Sequence, residues 1–292
     1  MTREGDIRLG SPKAPLAPTL LTWGLIALLA AALLWPVALS VGKGFVNQGK
    51  PSLHWIRYVL QSPEQLTYMG NSLMLAALAT GLAILIALPL AMVRATRRFL
   101  GSGVLGMAVL VPLILPPFVG AMSMRKLLSE NGVLNLLLRQ WGWLDASTQN
   151  PDWIVSGGFF AVALIQALHL FPILYLNLAA AMSNIDPAYR QAARNLGASR
   201  GQTFWRVTLP LLRPGLFAGG TIVFIWALTD IGTPLMVGVD ELLPVQIFKS
   251  LELGSLGGKT YAMVTVLLAG SIGLYVVGKF LLGRPIRTES AK

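Results

Sequence analysis

The amino-acid sequence predicts an all-α polytopic membrane protein with about six transmembrane helices. Apolar residues make up 54% of the 292 residues and charged residues only 12%, against roughly 25% charged in a typical soluble domain. The apolar residues also lie in runs of about 20 or more, the length that a helix needs to cross about 30 Å of hydrocarbon. A soluble core of this size would interleave charges every few residues, and these runs do not.

Six apolar runs are long enough to cross a membrane. The first follows the basic residues Arg3, Arg8 and Lys13, but it exceeds the apolar stretch of about 7–15 residues in a signal peptide. We therefore expect an uncleaved first helix, five further spans, and a short amphipathic helix on the outer surface around residues 52–60. The six predicted spans are residues 19–41, 71–93, 103–122, 157–182, 215–239 and 261–282.

The distribution of charge predicts which ends of the spans face the cytoplasm. If the N-terminus is cytoplasmic, the inner segments hold 15 of the 23 lysines and arginines, and the outer loops hold eight. Seven of the 12 acidic residues fall in the outer loops. Basic residues accumulate in the cytoplasmic loops of membrane proteins, so both termini are predicted to lie inside. The net charge of +11 therefore indicates a membrane face and not a nucleic-acid partner.

This orientation divides the chain into four parts. Residues 1–18 form a cytoplasmic tail, residues 19–60 the first span and an outer loop, residues 61–283 a transmembrane core, and residues 284–292 a second cytoplasmic tail. The core contains a long loop, residues 183–214, that we call the cytoplasmic loop. The sequence has no cysteine, which excludes disulfides and thiolate metal sites.

The cytoplasmic loop is predicted to form two short helices. Asp186 followed by Pro187 is typical of a helix start, because an acidic side chain can cap the helix and proline suits its first position. Gly197 suits the left-handed residue that commonly ends a helix. We expect a second helix over residues 199–207, ended by Pro210.

The first of these helices is amphipathic. Apolar residues share one face at helical spacing, and polar or basic residues occupy the other. Such a helix could dock against another protein, or it could lie among lipid headgroups with its arginines on anionic lipid. Physical reasoning from the residues leaves both interpretations open. The apolar face comprises Ala188, Tyr189, Ala192, Ala193 and Leu196, and the polar face Arg190, Gln191, Arg194 and Asn195.

The cytoplasmic loop resembles the signature loop of permease subunits in binding-protein-dependent ABC importers. That family has Glu-Ala-Ala, three residues, Gly, nine residues, Ile, one residue and Leu-Pro, and residues 191–210 follow this spacing. The sequence departs from the family at Gln191, so a salt bridge there is not carried over, although an amide still forms hydrogen bonds. The resemblance implies that an ATPase is coupled through Tyr189, Arg190, Gln191, Ala192, Ala193, Leu196, Gly197, Ala198, Phe204, Val207, Leu209 and Pro210.

The resemblance extends over most of the chain. Four stretches are similar to permeases for ferric iron, phosphonates, polyamines and thiamine: NSLMLAALATGLAILIALPLA (71–91), LPPFVGAMSMRKLL (115–128), HLFPILYLNLAAAMSNIDP (169–187) and TDIGTPLMVG (229–238). This similarity implies the MetI-like fold of a type I importer permease in the bacterial inner membrane, with no cofactor and no enzymatic activity of its own. The implied partners are membrane lipid, a second permease subunit (more often a different chain), two cytoplasmic ATPase subunits and a periplasmic binding protein. The implied solute is ferric iron first, then a phosphonate or phosphorylated small anion, then a polyamine.

Asp230 is the one acidic residue predicted to lie within a span. A carboxylate at the bilayer centre costs roughly 2.5–3.5 kcal/mol on insertion scales, so it should face the bundle interior or water. Gly232 and Pro234 follow it and should loosen the helix there. These three residues are candidates for a pore or gate. The alternatives for Asp230 are a hydrated helix end and an interhelical hydrogen bond.

His169 lies near the middle of the predicted fourth span, one turn after Gln166 and just before Pro172. It is a second candidate for the pore or gate. As a metal ligand it has no partner nearby in the sequence, so we expect a hydrogen bond between helices instead.

Other function classes lack the residues that they need. Residues 254–260 read GSLGGKT and end like a phosphate-binding loop. Such a loop has four residues between its glycines, whereas this stretch has three between Gly254 and Gly258. It is also predicted to lie outside the membrane, between two spans. No zinc-protease or nucleophile-elbow pattern occurs, which leaves no support for a membrane hydrolase. The alternative to an ATP-driven permease is a secondary transporter or channel, but ion-coupled carriers often hold several intramembrane charges and this chain offers Asp230.

The charge asymmetry predicts the topology of single-cysteine variants. Because the natural chain has no cysteine, each variant carries one label site. Asp145→Cys and Glu252→Cys should react with a membrane-impermeant maleimide in intact cells, whereas Arg200→Cys should react only after the cells are opened. Labelling at position 200 but not at position 145 in intact cells would reverse the predicted orientation.

Overall fold

The computed structural model describes residues 16–96, 101–145, 149–255 and 257–282. The predicted C-terminal tail 284–292, residues 1–15 of the predicted N-terminal tail, and the basic residues Arg97 and Arg98 lie outside the described residues. The helices, in chain order, are α1 (Leu16–Gly44), α2 (His54–Gln61), α3 (Pro63–Thr96), α4 (Ser102–Ala108), α5 (Val111–Ile114), α6 (Pro117–Leu128), α7 (Val133–Gln140), α8 (Trp153–Ser183), α9 (Pro187–Asn195), α10 (Arg200–Thr203), α11 (Leu209–Thr229), α12 (Gly232–Val237), α13 (Leu243–Glu252) and α14 (Gly258–Leu282).

The described part of the chain is almost entirely helical, as predicted. Its extended segments include a two-stranded antiparallel ribbon, β1 (Val46–Asn47) and β2 (Lys50–Pro51), just after α1. Five helical stretches are long and apolar enough to cross a membrane: α1, α3, α8, the run from α10 to α11, and α14. A bent pair of helices supplies a sixth, so the predicted number of spans agrees with the structure.

The predicted third span, 103–122, is not one helix. The segments Gly103–Ile114 and Pro117–Gln140 meet at an angle of 97°. Leu115 and Pro116 between them are extended, with ψ angles of 134° and 140°. Each of these two residues precedes a proline, and a residue before proline is pushed out of the helical region. The prediction of a continuous span was wrong because it treated the two prolines as ordinary positions in an apolar run.

The predicted fifth span, 215–239, begins and ends earlier than expected. Its helix, α11, starts at Leu209 and ends at Thr229, and Asp230 is extended with φ −69° and ψ 127°. The short helix α12 then begins at Gly232. The loosening expected at this glycine is therefore a complete break, which divides the predicted span into a long and a short helix.

The core of the molecule is a seam in which α3, α8 and α11 each pack against the other two. Small side chains line the seam, and they let helix backbones approach closely within a membrane. α8 contributes larger apolar residues such as Leu170, Leu174 and Leu178, which are buried between the small ones. The small residues of α3 are Ala76, Ala79, Ala83, Ala87 and Ala91, each at most 1% exposed.

Two glycines bring α11 against α8. A Cβ atom added to Gly215 would lie 2.6 Å from the Cβ atom of Ala181, and one added to Gly219 would lie 3.0 Å from the Cα atom of Leu174. Both distances are shorter than carbon atoms tolerate without movement. The close contact of α8 and α11 therefore depends on glycine at these two positions.

The end of the molecule opposite the cytoplasmic loop has its own small cluster of buried residues. α2, α13 and α14 meet there around Val59, Leu243 and Met263. α2 confirms the short helix that was predicted near residues 52–60. The C-terminal end of α1 packs against α14 at Gly44, where an added Cβ atom would lie 2.7 Å from the hydroxyl oxygen of Thr265.

Candidate functional site

The first helix of the cytoplasmic loop starts as the sequence predicts. Asp186 is extended, and its Oδ1 atom accepts a hydrogen bond of 2.8 Å from the backbone N–H of Ala188. Pro187 occupies the first helical position, where its missing N–H costs nothing. The predicted helix start is confirmed.

Gly197 ends this helix in the left-handed conformation, with φ +83°. The backbone N–H of Ala198 donates to the carbonyl oxygen of Ala193 at 3.0 Å, and that of Gly197 donates to Arg194 at 2.9 Å. This pair of hydrogen bonds is the Schellman motif, which satisfies the last carbonyl groups of a helix. Glycine is favoured here because other residues are strained at this φ angle, and the predicted helix end is confirmed.

Neither face of α9 is buried within the described part of the chain. The apolar face points outward: Tyr189 is 49% exposed and Leu196 is 89% exposed, and Ala188 and Ala192 are also exposed. Amphipathic helices usually bury the apolar face against their own protein. In this loop the apolar face is left free for a partner.

Part of the basic face of α9 lines a cleft, although Gln191 and Arg194 remain exposed. Arg190, Gln191 and Arg194 line a cleft of about 510 Å³ between α9 and the ends of α3 and α8. Arg200 and Phe204 extend the lining on the side of α10. We call this cavity the arginine cleft.

The second half of the cytoplasmic loop differs from the prediction at its end. Ser199 forms a capping box with Gln202, so a helix does begin where it was expected. The chain then widens into a π-helical turn, Phe204–Thr208, and runs directly into α11. The prediction that Pro210 ends a helix was wrong.

The π-helical turn explains how the chain passes Pro210 without a break. A proline inside an α-helix clashes with the carbonyl group four residues earlier and lacks a donor. The N–H of Leu209 instead reaches back five residues, to the carbonyl oxygen of Phe204. The wider turn makes room, so Pro210 lies in the first turn of α11. Val207, Leu209 and Pro210 thereby join the loop to a membrane helix.

Asp230 organises the break between α11 and α12. Its Oδ1 atom accepts hydrogen bonds from the backbone N–H groups of Gly232, at 2.9 Å, and Thr233, at 3.4 Å. Its Oδ2 atom accepts a hydrogen bond of 3.0 Å from Nε2 of Gln166 on α8. Of the roles considered for Asp230, an interhelical hydrogen bond is therefore present, and the carboxylate also caps the start of α12.

Sequence reasoning missed Gln166 as the partner of Asp230. Its side chain is only 1% exposed, and its Nε2 atom also approaches the carbonyl oxygen of Ala227 at 3.4 Å. Its Oε1 atom is buried and has no hydrogen-bond partner within the described ranges. An amide within the predicted fourth span and an acid within the predicted fifth span were the signal that could have suggested the pair.

The far end of α12 is held by a basic residue that sequence reasoning also missed. Nη1 of Arg125, on α6, donates a hydrogen bond of 2.7 Å to the carbonyl oxygen of Met236. Gly238 ends the helix in the left-handed conformation, with φ +89°. A carboxylate at the start of α12 and a guanidinium at its end both complement the helix dipole. Gly232 meets α6 closely, since an added Cβ atom would lie 3.2 Å from that of Phe118.

His169 and Pro234 complete the candidates for the gate. Pro234 is buried within α12. His169 lines a separate cavity of about 300 Å³ between α8 and the bent third span, where its ring interacts with the backbone of Pro112. The described residues include no group of three His, Cys, Asp or Glu side chains that could hold a metal ion. The structure thus brings Asp230 and Gly232 together, and His169 lines a cavity on α8 within electrostatic reach of Asp230.

Both the cytoplasmic loop and the break at Asp230 fall within a recognised family model. Residues 79–286 match the model described as "Binding-protein-dependent transport system inner membrane component". This range includes α8, α9, α11 and α12.

Similar proteins of known description agree with that match. The chain is 33% identical over 231 residues to a probable molybdenum ABC transporter permease of Haloferax volcanii, covering 78% of this chain and 80% of that protein. It is 30% identical over 240 residues to the molybdenum transport system permease ModB of Mycobacterium bovis, covering 80% and 87%.

A solved structure shares the fold. A chain of the bacterial ABC transporter involved in the import of the acidic polysaccharide alginate superposes with a TM-score of 0.65 at 18% identity. The superposition covers 91% of this chain and 96% of that one. The predicted fold is confirmed by this likeness.

The geometry at Asp230 predicts the effect of removing its charge. In Asp230→Asn the amide oxygen still accepts from Gly232, and the Gln166 amide can flip to present its unpartnered oxygen, so the variant should fold and assemble. Hydrogen bonds to a charged acceptor are roughly twice as strong as neutral ones. We therefore expect the initial rate of solute uptake to fall about fivefold or more.

The matched control for this change is Asp240→Asn. Asp240 forms an exposed ion pair with Lys249 at 2.6 Å, and such pairs contribute about 0–1 kcal/mol. Its loss should leave uptake unchanged. Uptake at the natural rate by correctly assembled Asp230→Asn would leave the aspartate a structural link between helices whose charge has no part in transport.

Proposed function

The chain belongs to the family of inner-membrane components of binding-protein-dependent transport systems, and on this premise we propose that it forms one half of a solute pathway. It is a permease subunit of an ABC importer. This family membership overturns the alternative of a secondary transporter or channel. Through the exposed face of α9 it receives the motion of a cytoplasmic ATPase. ATP hydrolysis takes place in that separate subunit.

The observation that carries this proposal is the outward apolar face of α9. Burial of apolar surface against a partner is favourable by roughly 25 cal/mol per Å², and the exposed Tyr189 and Leu196 offer such surface. Alanines at positions 188 and 192 add no bulk between them, so a partner surface can approach the helix backbone. These features support docking of a second protein at α9.

The same geometry disfavours the alternative of a helix among lipid headgroups. In that arrangement the apolar face would point toward the hydrocarbon. Here the basic face looks toward Met92 and Met182, near the ends of two membrane helices. The apolar face consequently points away from the spans.

The importer that this proposal describes has several subunits. A second permease subunit, of a different sequence, supplies the other half of the pathway. Two ATPase subunits bind on the cytoplasmic side, one at α9, and a periplasmic binding protein delivers the solute at the outer side. Asp230 and α12 lie in the outer part of the membrane, where they gate the solute's entry from the binding protein.

The solute is a small oxyanion, and molybdate comes first. Both permease relatives compared above are named for molybdenum, and each aligns with about four fifths of this chain. This order differs from the sequence resemblance, which favoured ferric iron and did not include molybdenum. Ferric iron, a phosphonate and a polyamine follow molybdate as candidates.

Calorimetry on the cognate binding protein tests the solute. We expect heat of binding with sodium molybdate, and none with ferric citrate, 2-aminoethylphosphonate or spermidine at the same concentration. Tight binding of one of the other three, with none for molybdate, would replace molybdate as the solute and leave the coupling role of α9 untouched.

The left-handed residue at the end of α9 provides the test of coupling. In Gly197→Val a β-branched side chain must adopt φ +83°, at a cost of about 1–2 kcal/mol. The residue lies outside the spans, so membrane insertion should be retained. We expect the ATPase to co-purify less well and the hydrolysis stimulated by binding protein in liposomes to fall about 5–30-fold.

The matched control is Gly201→Val, in the same loop. Gly201 is exposed, has no left-handed φ angle, and has nothing within 4 Å of an added Cβ atom. The Gly201→Val variant should keep both the ATP hydrolysis that binding protein stimulates and the uptake of solute. If Gly197→Val also keeps both, α9 is not the coupling element.

A further inference from the structure

The arginine cleft is lined by three arginine side chains, of which Arg194 and Arg200 are exposed. Its walls carry the guanidinium groups of Arg190, Arg194 and Arg200 around about 510 Å³. Among the described residues that line it, none is acidic. The nearest acid along the chain, Asp186, is engaged as the cap of α9.

Three like charges around one cavity repel one another unless an anion lies between them. On the other side the cleft is lined by Met92 and Met182, whose side chains carry no negative charge. The side chain of Gln191 is a neutral lining group that can donate from its amide nitrogen. The cleft therefore presents many donors and a positive field to whatever enters it.

We propose that the arginine cleft binds a small oxyanion of the phosphate class. Planar guanidinium groups form paired hydrogen bonds with phosphate oxygens, which makes arginine the preferred residue for such groups. Arg190 and Arg194 approach from α9, and Arg200 approaches from α10. The anion consequently joins the two short helices of the cytoplasmic loop at the ends of α3 and α8.

Gln191 is the residue that keeps the site available. It stands where the family pattern has glutamate, and a carboxylate at this position would put a permanent counter-ion among the arginines. The amide leaves the positive charge uncompensated and adds a donor. This site goes beyond the coupling role of α9 and does not depend on it.

The test is a thermal melt of the full-length chain purified in detergent, followed by tryptophan fluorescence. Inorganic phosphate is the probe, compared with chloride at the same ionic strength. Binding to the folded state raises Tm with ligand concentration, and we expect a saturable rise of about 2–4 °C.

Two glutamines in the loop give a matched pair of variants. Gln191→Glu should weaken the apparent affinity for phosphate at least about tenfold and raise Tm in its absence, because the carboxylate replaces the anion. Gln202→Glu adds the same charge outside the cleft, in a capping box where glutamate serves equally. It should retain the phosphate effect.

Two arginines give a second pair, which serves even if Gln191→Glu fails to fold. Arg194→Gln should lose the phosphate effect, whereas Arg206→Gln, an exposed residue that does not line the cleft, should keep it. The absence of a saturable rise in the natural chain would overturn the proposal. An equal loss of the phosphate effect in both variants of either pair would also overturn the proposal.

The phosphate group could come from solution or from a lipid headgroup, and nanodiscs distinguish the two. In discs of phosphatidylcholine alone, phosphate should raise Tm. If phosphatidylglycerol raises Tm by itself and abolishes the effect of added phosphate in the natural chain, the headgroup occupies the cleft. If added phosphate raises Tm equally in discs of phosphatidylcholine alone and in discs that contain phosphatidylglycerol, the occupant is the free anion.

Discussion

The close packing of α3, α8 and α11 is the constraint on which the rest of the structure depends. Lipid is as apolar as the helices themselves, so helices in a membrane are held together by close contact more than by exclusion from water. The alanines of α3 and the glycines of α11 make that contact possible. α8 leads into the cytoplasmic loop and α11 leads out of it. Both ends of the loop are thus anchored in one seam, and a displacement of α9 acts on α8 and α11 together.

A polar contact joins the same two helices near their other ends. Backbone groups at membrane depth must find partners within the protein, and the break after α11 would otherwise leave the first N–H groups of α12 unpaired. Asp230 accepts from them and from Gln166 of α8 at once. Arg125 donates to a backbone carbonyl group at the far end of α12. The position of α12 therefore depends on two charged side chains, one on the chain leading into it and one on α6.

The cytoplasmic loop places its charges in an unusual way. Three residues of the basic face of α9 line a cleft beside the ends of α3 and α8, while the apolar side chains of Tyr189 and Leu196 are exposed. Exposure of apolar surface is unfavourable in water, as is the gathering of arginines around one cavity. Both costs disappear when a protein covers the apolar face and an anion enters the cleft.

The sequence by itself determined the membrane class, the number of spans, the limits of α9 and the family. These depend on run length, on Asp186 and Pro187 at a helix start, on glycine at a left-handed position, and on the spacing from Gln191 to Pro210, all of which are local. Rules that use only residues close together in the sequence failed where packing against other parts of the chain decides the structure. The bend after Leu115 could have been inferred from Pro116 and Pro117. The continuation of the helix past Pro210 could not, because it required a π-helical turn. Only the tertiary structure paired Gln166 with Asp230 and placed part of the basic face of α9 along a cleft, because both depend on side chains that are far apart in the chain and meet only once α3, α8 and α11 have packed.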